Sequence, residues 1–264
     1  TKPAIRAASG SGSVHDGSSI GWLLIITPDA RIGLGGTSFI FHRLTGSNSM
    51  PAPYCYEYPR PMVTVDLALF SLVEQSLRVL LICRGREPFA GKWAIPGGFL
   101  QMDESVEAGA RRELREETGL EIAGPVEPIG FFAKPGRDPR GRTITLAHAA
   151  VVRPGEHKTQ EGGDDAAEAA WIQIGDPIDL AFDHAEILNQ ALAWLRRGVI
   201  DRTSTLALEL LPRSFRVEDV HALFQGLGLT HRQATPWLHR MVQSGRIERV
   251  EQPFPHFHLV EATR

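Results

Sequence analysis

Between Met62 and Ile174 the apolar positions switch repeatedly between strand and helix spacing. Met62–Phe70, Arg78–Cys83, Ile129–Ala133, Thr143–Val152 and Ala169–Ile174 are short apolar or alternating runs, which predict strands. Asp103–Thr118 carries helical spacing and meets a stop at Gly119. Asp183–Arg196 predicts a second helix, with Gly198 just past its end. Strands interleaved with few helices predict a mixed α/β layer fold. A boundary is expected near Ile200–Leu206. Beyond it, Ser214 is placed to cap a helix through Phe224, and Gly226–Leu229 reads as a turn. Thr230 and Gln233 have capping-box spacing for a helix over His231–Ser244, which Pro236 is expected to bend. Arg246–Glu251 and His256–Glu261 then read as two strands separated by Pro253 and Pro255. Helix, turn, helix and hairpin in that order predict a winged helix.

The first 49 residues break this pattern. They hold eight Gly and eight Ser, and segments such as Ala8–Ser13 and Gly33–Gly36 read as flexible coil. Ile20–Ile26 is the one run there that suggests a strand. The expected organisation is therefore a flexible extension over 1–49, not part of the active fold, a domain over 50–202 and a small unit over 203–264. Met50 reads as an alternative start.

Composition narrows the function. At 264 residues, 42% apolar and 22% charged, the chain fits one or two soluble domains and excludes global disorder. Ile20–Ile26 is far shorter than the roughly 18 to 20 residues a membrane helix needs. No membrane association is expected, and Asp16 with its Gly/Ser neighbours interrupts any signal-peptide core. A formal charge of −3 argues against whole-chain binding to a polyanion. Cys55 and Cys83 fit reduced thiols and a cytoplasmic location better than a disulfide framework.

The chemistry concentrates between Gly98 and Leu120. Pro96, Gly97 and Gly98 form a turn before the helix. On the helix Glu113 and Glu117 lie about 40° apart, with Glu116 flanking them. Three carboxylates this close repel, and a divalent cation offsets that repulsion. All-oxygen ligands favour Mg²⁺ or Mn²⁺ over Zn²⁺. A solvated acidic face would also account for Glu113 and Glu117 alone.

The complete spacing is more specific. Gly98, five residues, Glu104, seven residues, then Arg112–Leu120 match the pattern Gly-x5-Glu-x7-Arg-Glu-aliphatic-x-Glu-Glu-x-Gly-aliphatic at every defined position. This segment resembles the Nudix box. The resemblance implies a Nudix α/β/α sandwich with a mixed sheet, followed here by a small winged-helix domain. It also implies a metal-dependent hydrolase acting on a nucleoside diphosphate linked to another group. On that resemblance Glu113, Glu116 and Glu117 are metal ligands, Gly98 lets backbone approach the metal or phosphates, Arg112 orients the glutamates and Glu104 anchors the loop. The box does not name the general base; Glu161, Asp164, Asp165 and Glu168 in the acidic stretch 161–168 are candidates, though a solvated loop reads the same way.

Lys134–Arg142 follows the box, with Pro135 fifteen positions beyond Leu120. Its placement resembles ADP-ribose pyrophosphatases, which implies substrate contacts from Pro135, Arg137, Asp138 and Arg140; forked guanidinium donors suit diphosphate or ribose. A polar hairpin loop would have the same composition. Phe182–Ile187 also resembles a late segment of such domains, but its spacing reads first as a helix start capped by Asp183.

A Nudix domain followed by a winged helix resembles the Nudix-related transcriptional regulators of NAD metabolism. From Val220 through Ile247 there is no Asp or Glu, while Arg232, Arg240 and Arg246 supply positive charge suited to DNA phosphates. A packing or dimerisation module built on Trp237, Leu238 and Met241 is the competing reading. Two functions follow: cleavage of ADP-ribose to AMP and ribose 5-phosphate, or an ADP-ribose-responsive DNA-binding regulator with weak or no hydrolysis. The family resemblance also implies a homodimer.

Overall fold

The computed structural model describes residues 8–13, 19–24, 56–156, 166–201, 203–250 and 255–260. Two compact units, Thr1–Glu57 and Tyr58–Arg264, divide the chain. In the first, β1 (Ala8–Ser13) and β2 (Ser19–Leu24) pair antiparallel, with Ala8 opposite Leu24. The Gly/Ser run 8–13, expected to be coil, is therefore a strand. Weak strand propensity is overridden here by a partner that takes up the backbone hydrogen bonds. Most of the expected extension, and Cys55, lie outside the described residues.

The second unit opens with β3 (Met62–Val73), β4 (Ser76–Arg84), β5 (Trp93–Ala94) and β6 (Gly97–Phe99). Then follow α1 (Val106–Thr118), β7 (Glu127–Phe132), β8 (Thr143–Val151), β9 (Ala166–Gln173) and α2 (His184–Ile200). The seven strands form one mixed sheet, ordered β5-β4-β3-β8-β7, with β6 also on β3 and β9 also on β4. β3 and β8 are parallel, and the other pairs are antiparallel. Side chains on β3 alternate between faces. Val65, Leu67 and Leu69 join a core with Ala110 and Leu114 of α1. Ala68, Phe70 and Leu72 join another with Ile187 and Leu195 of α2. Helices thus cover both faces, the sandwich expected of the family.

α1 starts later than the Asp103 expected from spacing. Ser105 is the cap, its Oγ accepting the Ala108 N–H at 3.2 Å, so Asp103 and Glu104 stay in the preceding turn. Gly119 ends the helix as expected, at φ 69°, with its N–H donating to Arg115 O at 2.8 Å. α2 corrects the other glycine: Gly198 lies inside the helix, not beyond it. A Cβ there would stand 2.5 Å from Leu206 Cδ2, so Gly198 permits close approach and does not stop the helix.

The remaining elements are α3 (Leu206–Leu210), β10 (Ser214–Phe215), α4 (Val217–Gly226), α5 (His231–Gln243), β11 (Ile247–Val250) and β12 (His256–Leu259). The three strands form a sheet in the order β10-β12-β11, beside α4 and α5, which is a winged-helix arrangement. Ser214 belongs to β10 and caps nothing; Asp219 instead accepts the Arg216 N–H at 2.7 Å in the first turn of α4. Gln233 Oε1 accepts the Thr230 N–H at 2.9 Å, the backward half of a capping box. Pro236 removes one backbone donor, yet α5 runs on through Gln243.

No polar gap separates this part from the sheet. One apolar cluster takes Phe70 and Leu77 from the sheet, Leu195 from α2, and Phe215, Leu223 and Trp237 from the C-terminal elements. Polar contacts accompany it: Gln75 Nε2 donates to Asp219 Oδ1 at 3.2 Å, and Arg196 Nη2 to Gly228 O at 2.8 Å. Arg153 Nη1 donates to Leu208 O at 2.7 Å and also to Leu211 O. Among the described residues no helix is long and apolar enough to cross a membrane.

Two glycines test this shared core. A Cβ on Gly226 would stand 2.6 Å from Leu77 Cβ, an atom tied to the sheet backbone, whereas Gly198 faces the end of a flexible side chain. Gly226→Ala is expected to cost about 1–3 kcal/mol through overpacking. Gly198→Ala is expected to stay within about 1 kcal/mol, because gained helix propensity offsets the shift of Leu206. Urea titration reads both, and the sheet and C-terminal elements should unfold in one transition.

Candidate active site

β6 and α1 build the acidic part of the site. β6 pairs with β3 so that Gly98 faces Val65 and Gly97 faces Asp66. Neither glycine admits a side chain: a Cβ on Gly97 would lie 2.3 Å from Val65 O, and one on Gly98 would lie 2.4 Å from Glu113 Oε1. This close approach lets the Gly97 N–H donate to Glu117 Oε2 at 2.9 Å.

Arg112 organises the glutamates. Its Nη2 and Nε donate to the two oxygens of Glu104 at 2.7 and 3.0 Å. Its Nη1 donates to Glu113 Oε1 at 2.8 Å and Glu116 Oε2 at 2.9 Å, and Nη2 also reaches Phe99 O at 3.0 Å. Glu104 additionally accepts the Gln101 N–H at 2.8 Å. The Arg112 hydrogen bonds, with that from Gln101, hold Glu104 down to about 2. Glu113 is pushed up by burial despite its bond to Arg112. Burial, joined by the charges of Glu113 and Asp66, pushes Glu117 up to about 8 even though the Gly97 N–H favours its anion.

Arg112, Glu113, Glu116 and Glu117 line a cavity of about 540 Å³ together with side chains that the box does not contain, while Glu104 stands behind Arg112. Asp66 is buried on β3, and its Oδ2 accepts the Thr145 hydroxyl. His184, at the start of α2, is also buried; its Nδ1 accepts the Ile95 N–H at 2.9 Å and its Nε2 lies 3.8 Å from Asp66 Oδ1. Burial lowers the His184 pKa, which keeps the ring neutral with its proton on Nε2. Arg84, Phe99 and Phe182 also line the cavity. Asp66 was legible as a lone carboxylate within an otherwise apolar strand, and Arg84 as the cation ending another. His184 sat in a segment read first as an ordinary helix start. That reading needs correction: Asp183 makes no capping bond with its side chain. Arg137 takes that carboxylate instead, through Nε at 2.8 Å and Nη2 at 2.5 Å.

The other substrate-loop residues divide. Arg137 and Asp138 are buried in the cavity wall. Arg140 is bound to Asp138 through Nε at 3.0 Å and Nη2 at 2.8 Å, and its backbone N–H reaches the same carboxylate at 2.9 Å. Burial opposes ionisation of Asp138, but the Arg140 hydrogen bonds prevail and lower its pKa. Pro135 is exposed and does not line the cavity. Glu168 is exposed on β9, opposite Cys83, and does not line it either. Glu161, Asp164 and Asp165 lie outside the described residues. Arg232 is exposed in the first turn of α5, whereas Arg240, later in α5, and Arg246, just before β11, are half-buried.

The donor set fits a hard divalent cation. Glu113, Glu116 and Glu117 offer only oxygen, burial pushes Glu113 and Glu117 up in pKa, and the missing side chain of Gly98 lets its backbone lie close against the Glu113 carboxylate. Among the described residues no three such side chains already converge on one point. Arg112 Nη1 bridges Glu113 and Glu116 and meets their charge itself, so a cation would compete with it for those oxygens.

Comparison with known proteins agrees with this geometry. The NUDIX domain family model matches residues 62–195. The "ADPR responsive transcriptional repressor NtrR" of Acinetobacter baylyi is 31% identical over 198 residues, covering 74% of this chain and 78% of that protein. An ADP-ribose pyrophosphatase of Methanocaldococcus jannaschii is 39% identical over 137 residues, covering 52% of this chain and 76% of its own. The crystal structure of Shewanella oneidensis NrtR complexed with a 27mer DNA superposes with a TM-score of 0.60 at 26% identity, over 75% of this chain and 93% of that one. With the box, the sandwich and the C-terminal unit all in place, the chain belongs to the Nudix family and shares the layout of its regulator-type members.

Proposed function

We propose that this protein is a metal-dependent pyrophosphohydrolase that cleaves ADP-ribose, with water, to AMP and ribose 5-phosphate. The observation that carries this reading is the lining of one open cavity by Glu113 and Glu116, tied through Arg112 that Glu104 holds from behind, and by Glu117 bound to the Gly97 N–H. The choice of ADP-ribose is supported by the names of the two relatives. Mg²⁺ or Mn²⁺, held by Glu113, Glu116 and Glu117 beside the Gly98 backbone, would neutralise phosphate charge and lower the pKa of an attacking water. The chain's own residues do the rest. Arg112 fixes the rotamers of Glu113 and Glu116, Glu104 fixes Arg112, and Gly97 orients Glu117. Arg137 and Asp138 shape the far wall, where their own partners hold them rigid. In-line attack in such a site depends on positioning and electrostatics.

A second reading is favoured by α4, α5 and the three-stranded sheet, together with the likeness to the DNA-bound regulator. We infer that the C-terminal unit binds DNA through the exposed face of α5, with Arg232 contacting phosphate, and that two copies engage a palindromic site. Arg240 and Arg246 are half-buried and support that face from within. Both activities can reside in one chain, with ADP-ribose as substrate and effector.

Four outcomes follow. Glu117→Gln should lower Mg²⁺-dependent ADP-ribose turnover by about two orders of magnitude or more, with the melting temperature retained. Arg112→Ala should weaken Mn²⁺ binding by about 10- to 100-fold, as loss of an orienting partner does; unchanged affinity by calorimetry counts against its role. The metal-free protein should show a pH signature. Glu117 binds its proton more tightly folded than unfolded, so this contribution is present below the unfolded carboxylate range near 4.5 and is lost as pH rises through about 8. Melting in EDTA across that window should show the loss, and Glu117→Gln should flatten it. For the DNA reading, Arg232→Ala should reduce the slope of log affinity against log salt by about 1 in a gel shift.

A further inference from the structure

His184 is buried in the cavity wall and has no task in the proposed reaction. Its Nδ1 accepts the Ile95 N–H at 2.9 Å, a buried amide with no water to turn to. The next residue, Pro96, has no N–H, and its carbonyl accepts the Leu67 N–H at 2.9 Å. The Gly97 N–H then donates to Glu117 Oε2 at 2.9 Å. Three consecutive residues of one turn are therefore gripped by three elements: Ile95 by α2, Pro96 by β3 and Gly97 by the box helix. The chain before α2 is shaped to deliver the imidazole. The Trp93 N–H donates to Asp179 O at 3.2 Å and the Ala181 N–H to Trp93 O at 2.8 Å, which lays this segment beside β5. Phe182 then takes φ 53°, a left-handed conformation that a bulky side chain rarely adopts. The bend closes with the His184 N–H on Ala181 O at 3.1 Å, and α2 begins there. Asp66 selects the tautomer. Its Oδ1 faces Nε2 at 3.8 Å, which favours a proton on that nitrogen and leaves Nδ1 a lone pair.

We propose that His184 is a positioning residue for the glutamate cluster: by accepting the Ile95 N–H it holds the turn 95–97 where the Gly97 N–H can orient Glu117 toward a divalent cation. The assignment rests on the reading that Glu117 is a metal ligand. An acceptor at the Nδ1 position is all this task needs, and neither the charge of the ring nor its Nε2 side enters. Without that acceptor a buried N–H is left unsatisfied, and the turn must shift to find another partner. Pro96 cannot offer a donor in its place, so the shift passes directly to Gly97. The Glu117 carboxylate then loses its orienting donor and is free to turn away from Glu113, its neighbour of like charge one helical turn back.

The test uses the full chain and the variants H184N and H184Q. Asparagine carries an acceptor oxygen at the position of Nδ1, whereas glutamine carries its polar atoms one bond further out, near Nε2. Calorimetry with Mn²⁺ alone reads the metal site, and amide exchange followed by NMR reads Ile95 and Gly97 without metal. H184Q should weaken Mn²⁺ binding at least about tenfold, as loss of an orienting partner does. It should also speed exchange at both amides by about the same factor. H184N should recover most of both. In Mg²⁺-dependent turnover of ADP-ribose, H184Q should lower kcat more than it raises KM, and a change confined to KM overturns the proposal. Equal effects of the two variants on Mn²⁺ affinity and exchange, whether both parental or both impaired, also overturn it. Should H184Q fail to fold, H184N decides: Mn²⁺ affinity within about threefold of the parent supports the assignment, and a larger loss overturns it. A parent that binds no Mn²⁺ rejects the metal reading alone, and amide exchange then decides His184.

Discussion

Arg112 is the keystone of the candidate active site. One guanidinium serves Glu104, Glu113, Glu116 and the Phe99 carbonyl, and so joins the turn before α1 to the helix itself. Without it, three carboxylates within little more than one helical turn would repel each other and Glu104 would lose its main partner. The two glycines of β6 make the arrangement sterically feasible, since any side chain on either would collide with Asp66 or Glu113. A metal ion entering the site therefore meets a set of oxygens already held against their own repulsion by a built-in cation. It must share them or displace that cation, which makes Arg112 both scaffold and competitor.

The box helix was legible because its constraints are local. The carboxylate spacing and the Gly119 stop lie on one helix, and the structure keeps both. Gly97 and Gly98, expected to form a turn, instead pair with β3 as part of β6, and the Ser105 cap was not foreseen. The longer strands were legible to within a few residues for the same reason, but the short β5, β6 and β10 were not. What sequence spacing could not resolve was partnership across the fold. Asp183 reads as a cap, but Arg137, 46 positions away, claims its carboxylate. Gly198 reads as a helix stop, but Leu206 approaches so closely that the glycine serves packing. Asp66, Arg84 and His184 come from three separated elements, β3, β4 and α2, and only the fold brings them to one cavity.

The loop between Lys134 and Arg142 brings Arg137, Asp138 and Arg140 to the cavity, but composition does not reveal how they are held there. Three arginines and an aspartate in a polar loop suggest open ligand contacts. In the fold, Arg137 and Arg140 are paired with carboxylates, and the loop is a strut that ties β7 and β8 to the start of α2. Rigidity is what the cavity gains from it, since a wall made of paired charges keeps its shape whether or not ligand is present.

The apolar cluster that continues from the sheet into the C-terminal elements has a consequence for how such a protein can evolve. Phe70, Leu72 and Leu77 are roofed in part by residues after Leu206. A lineage that discarded its winged helix would bare an adhesive face and would first have to recolour that side of the sheet with polar residues. The Nudix sheet and the tail thus lean on one common core, and a substitution that loosens either one bares the other.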